Sequence, residues 1–377
     1  MRALIDEFNT THRDKIHVNY TELQWSDGRD KIKQALSAGT GPDAFFINAG
    51  LEPALVDGKV LAPLDKLGFT EQDTGRYSAL AQVNTVDGVM YAAPLYFEAM
   101  VLIYRPDILK QYGITAPPTT WDQLKADAKK ITTESGGKVL GFQLKGMDDH
   151  LNAINLNWQT FLLQAGGKLT TNNRSTQNTQ AGQAALQYLR SFYAEGISKP
   201  GVSAEKGFPA GNVAMYTFLP KTAALAEKAG LKYGTGWAIA PLPKGPVNGK
   251  GWMSGHALAG NSKTKHPKEV GEFLKWMTSP HNSVKYMEFY EFHPYDEAKL
   301  TPSEREAIEK AFAENPIWAP LREQMALNDP QGLLDFRHGS AQRWPSQSKH
   351  IVAALNGQEP IEAALSAIDA DIDKAAS

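Results

Sequence analysis

Two β-prone runs separated by a polar, aromatic loop constrain this chain more than any other stretch of it. Val89 to Ala92 follows an Asp-Gly turn and is stopped by Pro94, which cannot donate to a sheet ladder. Met100 to Tyr104 is apolar throughout, the pattern of a strand buried on both faces. Glu98 stands between the two runs, beside Tyr96 and Phe97. A lone carboxylate there is costly unless it is paired or faces a cleft. The segment therefore reads as a strand leaving one domain, the floor of a ligand cleft, and a strand opening a second domain.

Length agrees with that reading. A chain of 377 residues exceeds what one hydrophobic core usually serves. Its 42% hydrophobic and 21% charged residues are ordinary for a globular protein. A net charge of -2 argues against a nucleic-acid partner, and no basic run suggests a membrane surface. No apolar stretch approaches the roughly 20 residues of a spanning helix. The absence of cysteine excludes disulfides, thiolate metal sites and cysteine nucleophiles.

Elsewhere strand and helix patterns alternate, the expectation for parallel sheets covered by helices. The start, Ala3 to Phe8, is an amphipathic helix, and Ile16 to Tyr20 alternates like a strand. Ala44 to Ile47 reads as a buried strand after the Gly41-Pro42-Asp43 turn. Trp121, Leu124, Ala128 and Ile131 share one helical face, with Thr120 and Gln123 as a capping box. Val213 to Tyr216, Trp237 to Ala240 and Ala257 to Ala259 read as strands, and Thr170 to Gln183 as a surface loop. Pro267 opens a helix with the stripe Val270, Phe273, Leu274 and Met277. Thr301 and Glu304 form a second capping box, and Ile361, Leu365, Ile368 and Ile372 line a last helix.

Pro94 to Leu109 with Pro117-Pro118-Thr119-Thr120-Trp121 resembles the extracytoplasmic solute-binding proteins of ABC importers, in the carbohydrate branch that includes the maltose-binding protein. Gly41-Pro42-Asp43, Gly211 to Met215, Ala240 to Pro243 and Ser262 to Met277 match in order and spacing. The resemblance implies an α/β, two-lobe, type II periplasmic-binding-protein-like fold. Each lobe is expected to hold a mostly parallel sheet flanked by helices, with a multi-segment hinge. By family analogy, residues 1–96 with 260–305 form the N-terminal lobe, and 97–259 with 306–377 the C-terminal lobe. Relatives carry a leader and a first strand before a helix like 3–8, so truncation ahead of Met1 is the expectation.

The implied function is capture of a mono- to oligosaccharide in the inter-lobe cleft, outside the cytoplasmic membrane, and delivery to a membrane permease. A monomer without cofactor or metal is expected. Sugars need aromatic plates for their C–H faces and carboxylates, amides or hydroxyls for their rim. Glu98 matches a ligand-contacting glutamate of the maltose-binding protein; the bland alternative is a salt bridge between lobes. Asn48 follows a buried strand, where α/β folds place binding loops, or begins a simple turn. Trp25 stacks on a sugar or covers the N-terminal core, and Asp27 accepts from a hydroxyl or marks a turn. Trp158, among Asn155, Asn157 and Gln159, reads as an exposed plate on a cleft-lining helix. Of Trp252 and His256, within a glycine-bearing run, one touches ligand. Arg337 or Arg343 clamps a phosphate, keeping a glycerol-phosphate or polyol ligand open, or pairs with a surface carboxylate.

The rival class is a glycosidase, which needs two carboxylates about 5–10 Å apart. Glu98 supplies one and Asp148-Asp149 the other, although adjacent aspartates before His150 also suit a helix cap. A carbohydrate-sensing receptor is a third reading, because fold does not imply function. No G-x-S-x-G, H-E-x-x-H or P-loop pattern is present.

Overall fold

The computed structural model describes the chain except residues 25–27, 49–54, 57, 147–152, 173, 329–339 and 377. The chain forms two compact units, Met1–Glu98 with Ser254–Glu314 and Ala99–Met253 with Asn315–Ser377. Its main strands are β1 (Ala44–Asn48), β2 (Ala92–Ala99), β3 (Val101–Tyr104), β4 (Met215–Phe218), β5 (Ala238–Ala240) and β6 (Met253–Gly260).

In the first unit the sheet order is β1-β6-β2. β1 runs antiparallel to β6, in a register that sets Ala44 against Gly260 and Asn48 against His256. Successive side chains point to opposite faces, so the strands feed two cores. Ala93, Leu95 and Leu258 pack with Leu4, Phe8 and Phe273 on one face. Phe45, Ala92, Ala257 and Ala259 join Leu36 and Leu61 on the other. Covering both faces explains why β2 and β6 are buried along their whole length. The helix Arg2–Thr11 buries Leu4, Ile5 and Phe8. The helix Pro267–Met277 has its proline in the first turn and buries the stripe read from the sequence.

Ile16 to Tyr20 does not form the strand expected of it. The side chain of Asn9 takes both main-chain groups of Val18, donating to its oxygen (2.9 Å) and accepting from its nitrogen (2.7 Å). A ladder needs a backbone partner, and here an amide side chain substitutes for one. Among the described residues no strand pairs with the edge of β1 that faces away from β6. A cavity of about 1160 Å³ lies in this unit, with Ile5, Ile16, Val18, Phe46, Leu258 and Phe273 in its walls.

In the second unit β3 is central, antiparallel to both β4 and β5. The expected mostly parallel order is therefore corrected for these strands. Segments that follow helices do run parallel, as at the Leu140–Val213 bridge. β3 instead arrives directly from β2, without a crossover helix to set its direction. The core of this unit gathers Leu102, Trp158, Phe161, Leu186 and Phe192 with Leu365, Ile368 and Ile372 of the last helix.

Thr120 accepts from the Gln123 nitrogen as expected, at 3.2 Å. The return bond of the box shifts by one residue, because Gln123 accepts from Thr119. At Thr301 the box is reciprocal, with bonds of 2.9 and 3.4 Å to and from Glu304. The surface loop expected over Thr170 to Gln183 is instead a short hairpin leading into the helix Gln180–Ala194. Asp369 holds it, accepting from the Ser175 hydroxyl and from the nitrogens of Gln177 and Asn178.

Candidate functional site

Register brings the site of the first unit together. Asn48, last in β1, stands opposite His256 near the start of β6. The His256 ring stacks on Phe46 (4.6 Å, 20°) and meets Tyr96 edge-on at 5.0 Å. Tyr96 in turn lies 5.8 Å from the Tyr286 ring. Strand periodicity puts Glu98 on the same face as Tyr96. Glu98 is 5% exposed and His256 6%, so both are buried.

Phe97 points the other way and explains a glycine. A Cβ on Gly255 would lie 2.5 Å from the Phe97 ring. Gly255, in the glycine-bearing run read from the sequence, makes room for Phe97. Phe97 also exchanges both main-chain hydrogen bonds with Phe292, each 2.8 Å. Glu98 and Glu291 are the residues next to this bridge on its two segments.

Glu291, Tyr96 and Tyr286 were not singled out from the sequence. The available signal was a repeated chemistry, since Tyr290-Glu291-Phe292 sets a carboxylate between aromatics as Tyr96-Phe97-Glu98 sets one beside them. Tyr96 hydrogen-bonds Glu291; burial first, then the charges of Glu291 and Glu98, hold its phenol protonated far above the usual range. Burial and the Glu291 charge raise Tyr286 likewise. The face thus offers two ring systems, an imidazole, an amide and two carboxylates, the groups that grip C–H surfaces and hydroxyl rims.

The remaining expected residues are scattered. Trp158 is fully buried in the second unit, and its indole donates to Gln177 at 2.7 Å. The exposed plate read from the sequence is corrected: the helix Ala153–Gln164 is buried on all sides. Its polar residues tether it, Asn155 to Trp344 and Ser348, Gln159 to Gln347, and Asn157 to Thr217. Trp252, also in the second unit, is fixed through its backbone, donating to Thr160 (3.0 Å) and accepting from Met100 (3.1 Å). Arg343 is fully buried in the second unit. Trp25, Asp27 and Arg337 lie outside the described residues, as do Asp148 and Asp149. Among the described residues no three His, Asp or Glu side chains gather as a metal site.

Residues 1–283 match the family of bacterial extracellular solute-binding proteins. The chain belongs to that family. A probable ABC transporter-binding protein of Deinococcus radiodurans is 32% identical over 63% of this chain and 58% of its own length. The chain thus spans under two thirds of that relative. The maltodextrin-binding protein MdxE of Bacillus subtilis is 28% identical over 73% of this chain and 65% of its own. The solved GacH receptor of Streptomyces glaucescens, studied with acarbose, superposes with a TM-score of 0.82 at 19% identity. That superposition covers 100% of this chain and 94% of the other. It establishes the two-lobe binding-protein fold.

Proposed function

We propose that this solute-binding protein captures a sugar outside the cytoplasmic membrane and delivers it to the permease of an ABC importer. The observation that carries the reading is the cluster Asn48, Tyr96, Glu98 and His256 at one end of the first unit's sheet. Buried acceptors beside aromatic faces suit a hydroxylated ring, and each charged hydrogen bond contributes roughly 1.5–3 kcal/mol. The relatives support the same class, with a maltodextrin-binding protein and an acarbose-binding receptor among them. The partners are then one small carbohydrate and the membrane subunits of the importer.

A thermal-shift screen over neutral sugars, amino sugars, polyols and glycerol phosphates, followed by calorimetry, tests this. The expected result is a melting-point rise with at least one sugar, which is then recovered unchanged. Hydrolysed product would favour the glycosidase reading, and silence across every sugar would remove the transport reading.

A further inference from the structure

β1 has the composition of an interior strand and the surroundings of an edge strand. Its sequence, Ala-Phe-Phe-Ile-Asn, carries no charge and no proline, and its register with β6 has no bulge. Those are the devices by which edge strands avoid a new neighbour. Asn261 donates to the Asp43 oxygen at 2.8 Å, which fixes the alternation of the antiparallel pair. The main-chain groups of Ala44 and Asn48 therefore point away from β6. Among the described residues no strand meets that side. The cavity of about 1160 Å³ lies there instead, and residues 42–48 all line it, as do residues 15–24. A sheet face would contribute only alternate residues, so the cavity meets β1 along its edge. On the second wall, the Asn9 side chain fixes both main-chain groups of Val18. Apolar side chains, among them Ile5, Ile16, Phe46, Leu258 and Phe273, complete the lining. Met1 lines the cavity too, and as N-cap of the helix Arg2–Thr11 it makes no side-chain cap bond.

We propose that this cavity is the slot for one more β-strand, formed by the segment of the polypeptide that leads into Met1. That strand pairs with the outer edge of β1 and enters the helix Arg2–Thr11 through Met1. With the helix and residues 16–20 it makes one crossover unit, which sets the strands parallel. Cores cover both faces of this sheet, so the segment is apolar on both sides and about five or six residues long. Met1 in the wall makes the connection intramolecular, which favours this segment over a separate peptide or a second copy of the chain. The inference stands on the sheet and the cavity and is independent of the sugar reading.

The test extends residues 1–377 by Lys-Val-Val-Ile-Val-Thr, joined to Met1 through Gly-Ser-Gly-Ser, a loop of ordinary strand-to-helix length. A matched extension has proline in place of its isoleucine, which removes a ladder donor. The first extension is expected to raise the melting point at least about 5 °C above both the unextended chain and the proline form. Hydrogen exchange should slow at 44–48 and 16–20, in a protein that remains monomeric by light scattering. No rise, or the same rise with proline, overturns the proposal. Protection that appears only in a dimer gives the slot to a second copy and overturns it as well. The free acetylated peptide, added in excess to residues 1–377, should protect these residues less than the fused one. Equal protection assigns the slot to a separate chain and rejects the segment ahead of Met1.

Discussion

Glu98 is the residue on which the functional reading concentrates. It is buried at the end of β2, on the same face as Tyr96. Glu98→Ala is expected to weaken sugar binding at least about tenfold, since a buried charged hydrogen bond is lost. Unchanged affinity in calorimetry would remove Glu98 from the site. Trp158 makes the opposite case. Its burial and its bond to Gln177 make it a core residue, so Trp158→Ala should cost about 3–5 kcal/mol in denaturant unfolding. A loss below about 1 kcal/mol would contradict that placement. The sequence offered a tryptophan surrounded by amides and hydroxyls, which reads as a wet surface. What it does not show is that each amide has a partner on a distant segment.

At the scale of elements, the helices with strong stripes were legible. Val270, Phe273, Leu274 and Met277 repeat at helical spacing behind a proline, and no distant contact is needed to read them. The hairpin 170–175 was not legible, because its support comes from nearly 200 residues further along. Asp369→Ala removes the acceptor for three donors there, at about 3 kcal/mol when summed at 1 kcal/mol each. Hydrogen exchange should show the protection of 174–178 falling first; uniform loss across the second unit would argue that Asp369 acts otherwise. Ile16 to Tyr20 failed as a strand for a related reason. Alternation announces a strand's faces, but a strand also needs a neighbouring backbone, and Asn9 holds Val18 in its place.

For the molecule as a whole, acid stability follows from carboxylates held ionised by their neighbours. Partial burial alone would raise Glu304, yet hydrogen bonds from Arg76 and from Thr301 outweigh it and hold its carboxyl below the usual 4.5. A depressed folded-state value contributes stability that is present above the unfolded value and is lost as pH falls through the folded one. Glu304→Gln should therefore lower stability at neutral pH and flatten the loss below about pH 4.5. A variant whose stability runs parallel to the wild type through the acid limb would show that Glu304 does not contribute. By itself the sequence determined the two-lobe fold class, which helices have apolar stripes, and that Glu98 needs an explanation. Those properties are local, or are written in the order of apolar and polar residues. Only the tertiary structure decided which segment pairs with Phe97, because strand register across 194 intervening positions cannot be read from either segment alone. The same holds for the antiparallel setting of β3 and for the burial of Trp158, which depend on partners that meet only once the chain has folded.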